Sequence, residues 1–199
     1  MNKQTIVVVV ALLVLAGSLY SLLTPKRPYY VIDPQTYYPT WGALLGRTAA
    51  QLANEPGRIT VLVPEPGQYD VAPINTIYEG IRGELRNHQG YDLKQVRIQG
   101  VRLIGGVDFP GVPASAKGIL DEALRSSVAV ISLAGSPDFP LPDDAPPVIA
   151  LEINQDGMEP LLSQGYIHAA VVPVHVPAAQ MDARKGQEQL FKVMTVRDM

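Results

Sequence analysis

The chain has 199 residues, of which 47% are hydrophobic and 18% are charged, and its formal net charge is −3. A length of this order accommodates one folded domain and an appendage. The acidic balance, without a cluster of Lys and Arg, argues against a nucleic-acid-binding surface, and the absence of cysteine excludes disulfides, thiolate metal sites and a cysteine nucleophile.

The first feature in chain order is an apolar N-terminal run, in which no charge occurs from Thr5 to Leu23. As a helix this run would rise roughly 28 Å, close to the thickness of the apolar part of a bilayer. We therefore predict a transmembrane signal anchor over residues 1–23. It would make the chain a single-pass protein of the bacterial inner membrane, in contact with the lipid bilayer and with its remaining part in the periplasm. Cleavage of a signal peptide near Ser18 and a buried helix are the alternatives.

A segment rich in tyrosine and proline follows at residues 24–57. Its prolines favour an extended backbone, which predicts either a stiff spacer or a strap that packs on a neighbouring membrane subunit. Large aromatic side chains are favoured anchors of protein interfaces. The candidate partner contacts are Tyr29, Tyr30, Tyr37, Tyr38 and Trp41. Within the same segment, Thr40 is expected to cap a short helix that ends near Ala53.

Short apolar runs alternate with helical spacing over residues 58–199. The runs predict five strands, at residues 59–63, 93–98, 128–133, 148–153 and 168–172. The predicted helices are residues 74–88, 115–125, 158–164 and 178–194. Strands that alternate with helices predict a single doubly wound, mostly parallel five-stranded sheet. The predicted fold class is therefore α/β, preceded by an N-terminal transmembrane helix.

Four stretches of this domain resemble the type I periplasmic sugar-binding proteins and the related LacI-type regulators. They are ITVLVPEPGQYDVAPINTIYEGIRGELRNHQGYDLKQV, VAVISLAGSPD, PPVIALEIN and MEPLLSQGYIHAAVVPV. Proteins of that family clamp a ligand between two lobes, whereas this chain accounts for about one lobe. The resemblance implies the fold, and it places a sugar-contacting position at Tyr69 and its neighbour Asp70.

The sequence carries no arrangement of polar residues typical of an enzyme. Ser136 lacks the G-x-S-x-G pattern of a nucleophile on a strained turn. His168 and His175 flank one strand at a spacing that puts them on opposite faces, and the glycine patterns of nucleotide-binding loops are absent. We therefore expect no catalysis, cofactor or metal.

One loop is a candidate for ligand binding. It follows the third predicted strand at residues 134–146, and α/β sheets bind ligands at the carboxyl ends of their strands. Ser136 and Asp138 are its candidate contacts. Its carboxylates, Asp138, Asp143 and Asp144, predict either a solvated acidic loop or a cation site.

Two functions follow from these observations. The first is a non-enzymatic membrane subunit, which joins an integral membrane complex of respiratory, photosynthetic or secretion type through its helix and strap. Its exported domain would stabilise the complex or dock a soluble partner. The second is a membrane-tethered module that binds a small polar solute. The sequence favours the membrane subunit, because a single lobe offers only half of the family's clamp.

Overall fold

The computed structural model describes residues 33–65, 71–98, 111–152, 157–174, 176, 181 and 186–196. The predicted membrane anchor and the candidate contacts Tyr29, Tyr30, Tyr69 and Asp70 lie outside these ranges. Within them, no helix is both long enough and apolar enough to span a bilayer.

A single sheet of six strands forms the centre of the described domain. In chain order the strands are β1 (Arg58–Pro64), β2 (Asp92–Ile98), β3 (Ala129–Ser132), β4 (Val148–Leu151), β5 (Ala169–Pro173) and β6 (Phe191–Thr195). Their spatial order is β2-β1-β3-β4-β5-β6, with the first five parallel and β6 antiparallel to β5. The predicted α/β class with a mostly parallel sheet is confirmed, whereas the predicted number of five strands is wrong, because β6 adds an antiparallel sixth strand.

Helices cover both faces of this sheet, which explains why its central strands are apolar along their whole length. The helices are α1 (Pro34–Leu52), α2 (Val71–Arg86), α3 (Lys117–Ser126) and α4 (Met158–Ser163). The first two pack on one face of the sheet, and the other two pack on the opposite face. Short 3-10 turns precede α3 and β6, at Ala114–Ala116 and Gly186–Leu190.

The sixth strand replaces the end of a predicted helix. The sequence pattern predicts a helix over residues 178–194, whereas Phe191–Thr195 forms β6. Phe191 is buried and Lys192 is exposed, which is the alternation of a strand. β6 pairs along the whole of β5. This pairing, which periodicity along the chain does not reveal, outweighs the local helical spacing.

Helix α1 begins earlier than predicted and includes part of the predicted strap. Asp33 caps it by accepting a hydrogen bond from the backbone N–H of Gln35 at 3.1 Å. Pro34 lies in the first turn, where its missing N–H costs nothing. Thr40, the predicted cap, lies inside the helix. The extended strap is therefore wrong for residues 34–40, because a capped helix packed on the sheet forms there.

Helices α1 and α2 cross at close range because glycines line their contact. A Cβ atom on Gly42 would clash with the carbonyl oxygen of Ile77, and one on Gly80 would clash with the carbonyl oxygen of Pro39. Leu45 of α1 is fully buried next to this crossing. The helix pair can therefore close over the sheet only while both positions lack a side chain.

The connection from β3 to β4 contains no helix, although parallel strands are commonly joined by one. Residues 133–147 form a proline-rich loop, and proline opposes helix formation. Phe139, Leu141 and Ala145 of this loop pack against the core on the face that carries α3. The backbone N–H of Leu141 donates to the carbonyl oxygen of Gly165 at 2.9 Å. A fixed loop thus leads from the carboxyl end of β3 back to the start of β4.

Candidate ligand site at the carboxyl edge of the sheet

The chain path changes direction at β1, because β2 lies on one side of this strand and β3 on the other. In sheets of this kind ligands bind in the crevice outside the carboxyl ends of the strands, at such a point of reversal. Four described segments lie at this edge. They are Glu65 after β1, residues 133–138 after β3, Glu152 after β4 and Val174 after β5.

Glu152 follows β4 directly and is only 5% exposed. Two hydrogen bonds reach its carboxylate Oε1, one from the backbone N–H of Ser136 at 2.8 Å and one from the Ser136 hydroxyl at 2.5 Å. Burial raises the pKa of Glu152 above its ordinary value, and the two hydrogen bonds from Ser136 partly oppose that rise. The edge therefore holds a buried carboxylate that has no basic partner in the described part of the chain.

A tight turn after β3 directs Ser136 at this carboxylate. The hydroxyl of Ser132 donates to the carbonyl oxygen of Gly135 at 2.6 Å. Gly135 has a φ of 87°, a left-handed conformation that glycine adopts without strain. The backbone N–H of Leu133 donates to the carbonyl oxygen of Leu62 at 2.9 Å and so ties the turn to β1. The sequence S-L-A-G-S therefore forms a defined turn.

A second segment holds the same turn from its outer side. The backbone N–H of Val112 donates to the carbonyl oxygen of Ser136 at 2.9 Å, and the Val112 carbonyl oxygen accepts the N–H of Asp138 at 3.2 Å. The carboxylate of Asp138 accepts the N–H of Ala114 at 3.2 Å, where the chain turns into α3. The two predicted loop contacts thus have different roles. Ser136 lies in the edge site, whereas Asp138 orders the backbone beside it.

The described aromatic residues that were candidates for partner contact pack within their own domain. Trp41 is 4% exposed, and its indole N–H donates to the carbonyl oxygen of Val171 at 3.0 Å. Tyr37 packs against Phe191 with ring centroids 4.8 Å apart, and Tyr38 meets Tyr37 edge-on at 5.4 Å. Burial and the neighbouring Tyr38 raise the pKa of Tyr37. Trp41 is a core residue, because the segment that would have exposed it is a helix facing the sheet.

The described histidines lie apart from this site. His168 lies at the opposite, amino edge, where its Nδ1 accepts the backbone N–H of Val148 at 3.1 Å and burial lowers its pKa. His88 lies 3.5 Å from the carboxylate of Glu84. His175 is outside the described residues. Within the described ranges, no three His or carboxylate side chains are grouped in a way that could hold a metal ion.

Glu152 was not singled out from the sequence. The predicted strand covers residues 148–153 and therefore includes this residue, whereas β4 ends at Leu151. The available signal is its place in VIALE, where a carboxylate directly follows an apolar run. A charged residue at the carboxyl end of a buried strand lies at the ligand-binding edge of an α/β sheet.

No protein-family model matches the chain, and no curated protein matches it. Solved structures match it by fold. An ABC transporter solute-binding protein from Burkholderia graminis C4D1M, in complex with D-arabinose, has a TM-score of 0.53 and 16% identity over 81% of this chain and 61% of its own. The XylFII–LytSN complex has a TM-score of 0.52 and 12% identity, and the match covers 81% of this chain and 61% of the other. A putative LacI transcriptional regulator from Bacteroides fragilis has a TM-score of 0.51 and 9% identity, and the match covers 81% of this chain and 60% of the regulator.

These neighbours confirm the predicted resemblance at the level of the fold. The described domain shares its fold with part of these sugar-binding proteins and this LacI-type regulator. The chain spans less than two thirds of the length of each of these neighbours. At these identities the likeness establishes architecture, and the function has to be argued from the residues at the carboxyl edge.

Proposed function

We propose that the described domain is a solute-binding module that receives a small polyhydroxylated molecule, such as a monosaccharide, at the carboxyl edge of its sheet. The observation that carries this proposal is the buried carboxylate of Glu152, which Ser136 fixes at that edge. Solute hydroxyl groups can donate to such a carboxylate, and hydrogen bonds to an ionised acceptor are roughly twice as strong as those between neutral groups.

The position of Glu152 is unfavourable for folding alone. Burial of an ionised carboxylate costs free energy unless donors and charges compensate it. The raised pKa of Glu152 means that the two hydrogen bonds from Ser136 do not fully offset this cost. Both hydrogen bonds from Ser136 reach Oε1, and a solute hydroxyl that donates to Oε2 would add compensation that Ser136 does not supply. A perturbed carboxylate at the edge where sheets of this kind bind their ligands is more readily explained by binding than by architecture.

The proposal follows the second of the two functions considered from the sequence. The Burkholderia graminis neighbour is a solute-binding protein in complex with D-arabinose, which makes pentoses and hexoses the first solutes to test. The first function relied in part on aromatic side chains available to a partner, and Trp41 is buried within the domain. A single lobe offers only half of the family's clamp, and this affects how strongly a solute is held rather than where it binds.

We extend the proposal to location and chemistry. The module would lie on the periplasmic side of a bacterial inner membrane, tethered through residues 1–23, and it would bind its solute without catalysing a reaction. The apolar N-terminal run supports the tether. The lack of a catalytic pattern in the sequence, and neighbours that are binding proteins and a regulator, support a binding role.

Titration of the full-length chain tests the proposal. Neutral pentoses and hexoses, including D-arabinose, are added at pH 7 at concentrations into the millimolar range, and binding is followed by calorimetry and by the melting temperature. We expect at least one sugar to bind and to raise the melting temperature. Glu152→Gln should weaken this binding at least tenfold, since a hydrogen bond to a charged group is lost.

Glu159→Gln is the matched control, because it removes the same charge from an exposed carboxylate on α4. It should bind like the unmodified chain. The proposal would be contradicted if no sugar of the panel binds, or if the unmodified chain and the Glu152→Gln chain bind a sugar equally well.

A further inference from the structure

We propose that Glu152 is a proton-operated latch on the carboxyl-edge site. Its ionised carboxylate holds the turn at Ser136 in place, and its protonation loosens that turn and releases the solute. The inference rests on the proposed function for its effect on the solute. The latch itself is a property of the ligand-free domain and can be measured without a sugar.

The latch connects three segments of the fold. Glu152 ends β4, Ser136 belongs to the turn after β3, and Val112 belongs to the segment that leads into α3. Ser136 donates its N–H and its hydroxyl to Oε1 of Glu152 at 2.8 and 2.5 Å. Its carbonyl oxygen accepts the N–H of Val112 at 2.9 Å. One carboxylate therefore fixes the turn directly and the third segment through that turn.

The strength of these contacts depends on the charge of the carboxylate. An ionised carboxylate oxygen accepts two donors readily, whereas a carboxylic acid is a weaker acceptor and carries an O–H donor of its own. Protonation at Oε2 leaves Ser136 with a weaker acceptor at Oε1. It also converts Oε2 from an acceptor of solute hydroxyls into a donor. The same proton therefore acts on the turn and on the solute.

No cation keeps Glu152 ionised in the described part of this edge. Strands β3, β4 and β5 contain no ionisable side chain. The charged residues of the described segments at this edge are Glu65, Arg97, Lys117, Asp138, Glu159 and Lys192. None of the three basic residues pairs with Glu152, because Lys117 pairs with Asp121 and no charged group contributes to the pKa shift of Glu152. Burial raises the pKa of Glu152 against the effect of Ser136. The latch should therefore open at a higher pH than the one at which an exposed glutamate is protonated.

The latch gives stability and affinity opposite dependences on pH. Because the pKa of Glu152 is higher in the folded than in the unfolded chain, this residue favours the folded state at low pH. That contribution is lost as the pH rises through the folded-state pKa. Solute affinity changes in the other direction, since the solute hydroxyls require the ionised carboxylate. A carboxylate with a purely structural role would not link the two properties in this way.

The first arm of the test uses the ligand-free, full-length chain. Nuclear magnetic resonance follows the carboxyl carbon of Glu152 and the exchange of the Ser136 and Val112 amides as the pH is lowered. We expect Glu152 to be protonated at a higher pH than a glutamate in a model peptide, whose pKa is about 4.3, and both amides to lose protection as it is protonated.

Ser136→Ala removes one donor and keeps the N–H, so it should move the Glu152 titration to a still higher pH. A Glu152 titration at the model-peptide value, or amide protection that does not change, would overturn the latch.

The second arm measures the affinity for D-arabinose, or for the tightest sugar of the panel, at pH 7 and pH 5. We expect binding to the unmodified chain to be weaker at pH 5 than at pH 7, and to become roughly tenfold weaker at the pH where the first arm finds Glu152 protonated, as for the loss of one charge-assisted hydrogen bond. Binding to the Glu152→Gln chain should be weak and equal at both values. Affinity of the unmodified chain that does not vary with pH would overturn the inference. If no sugar binds at either pH, the solute-binding function fails, and amide exchange still decides the latch.

Discussion

Two shielded carboxylates of the domain have opposite electrostatic surroundings. The side chain of Glu84 on α2 is 15% exposed and lies 2.9 Å from the guanidinium of Arg47 on α1, which lowers the pKa of Glu84. Glu152 at the carboxyl edge receives its hydrogen bonds from Ser136, and burial raises its pKa. The α1–α2 face is thus arranged for stability. The carboxyl edge retains an electrostatic cost that folding alone does not explain.

The largest effect should come from separating α1 and α2. Gly42→Ala places a methyl group against the carbonyl oxygen of Ile77, so the helices must move apart. We expect the free energy of unfolding to fall by about 3 kcal/mol, measured by urea denaturation. Gly83→Ala on α2 is the control, because a Cβ there meets nothing within 4 Å, and it should gain up to about 1 kcal/mol. Equal effects of the two substitutions would mean that the helices are not in close contact.

Removal of the charge at the carboxyl edge should instead stabilise the ligand-free chain. Glu152→Gln keeps an acceptor for Ser136 and eliminates the buried charge, so we expect a gain of about 1 kcal/mol at pH 7. The gain should disappear near pH 4. The raised pKa of Glu152 means that its favourable contribution is already present at low pH and is lost as the pH rises. Urea denaturation at pH 7 and at pH 4 measures this change in the free energy of unfolding. A loss of stability at pH 7 would make Glu152 a structural carboxylate like Glu84.

Breaking the ion pair on the α1–α2 face should show the opposite pH dependence. Arg47→Met keeps the apolar stem and removes the guanidinium from Glu84. Because the side chain of Arg47 is 36% exposed, solvent screening limits the loss to about 1 kcal/mol. The loss should be present at pH 7. It should vanish as the pH falls through the lowered pKa of Glu84.

Arg82→Met provides the comparison for that measurement, because its ion pair within α2 is exposed on both sides. We expect this substitution to change the free energy of unfolding by less than about 0.5 kcal/mol. A loss as large as that of Arg47→Met would mean that the shielding of Glu84 does not matter.

The smallest effect is expected at the amino edge. His168 accepts the N–H of Val148 through Nδ1, and burial lowers its pKa, so the folded chain favours the neutral ring. The melting temperature should fall slightly as the pH drops below about 6.5 and through the lowered folded-state pKa. His168→Asn presents an oxygen to the same N–H and should remove that part of the pH dependence. An unchanged dependence between pH 7 and pH 5.5 would contradict this role for His168.

Much of the parallel sheet could be predicted from the sequence. Strands β3 and β4, AVIS and VIAL, are short apolar runs that are almost completely buried, and this local signal is sufficient. The start of α1 and strand β6 were missed, because tertiary contacts decide them. Trp41 packs α1 on the sheet, and β5 supplies the hydrogen-bonding edge on which β6 forms.

The candidate site could also be predicted only in part from the sequence. Ser136 was found because a polar residue after a predicted strand is a local pattern. Its partner Glu152 lies 16 positions further along the chain, and the two meet only when β3 and β4 pair. The raised pKa of Glu152 follows from burial in the folded domain. No inspection of neighbouring residues in the sequence could have supplied it.

The contacts of α1 also determine when the domain can be completed during synthesis. Trp41 donates to Val171, Arg47 pairs with Glu188, and Thr36 accepts a hydrogen bond from Gln187. The ribosome therefore releases α1 long before it makes the residues that cover it. The apolar face of this helix has no complete partner surface until β5 and β6 have emerged.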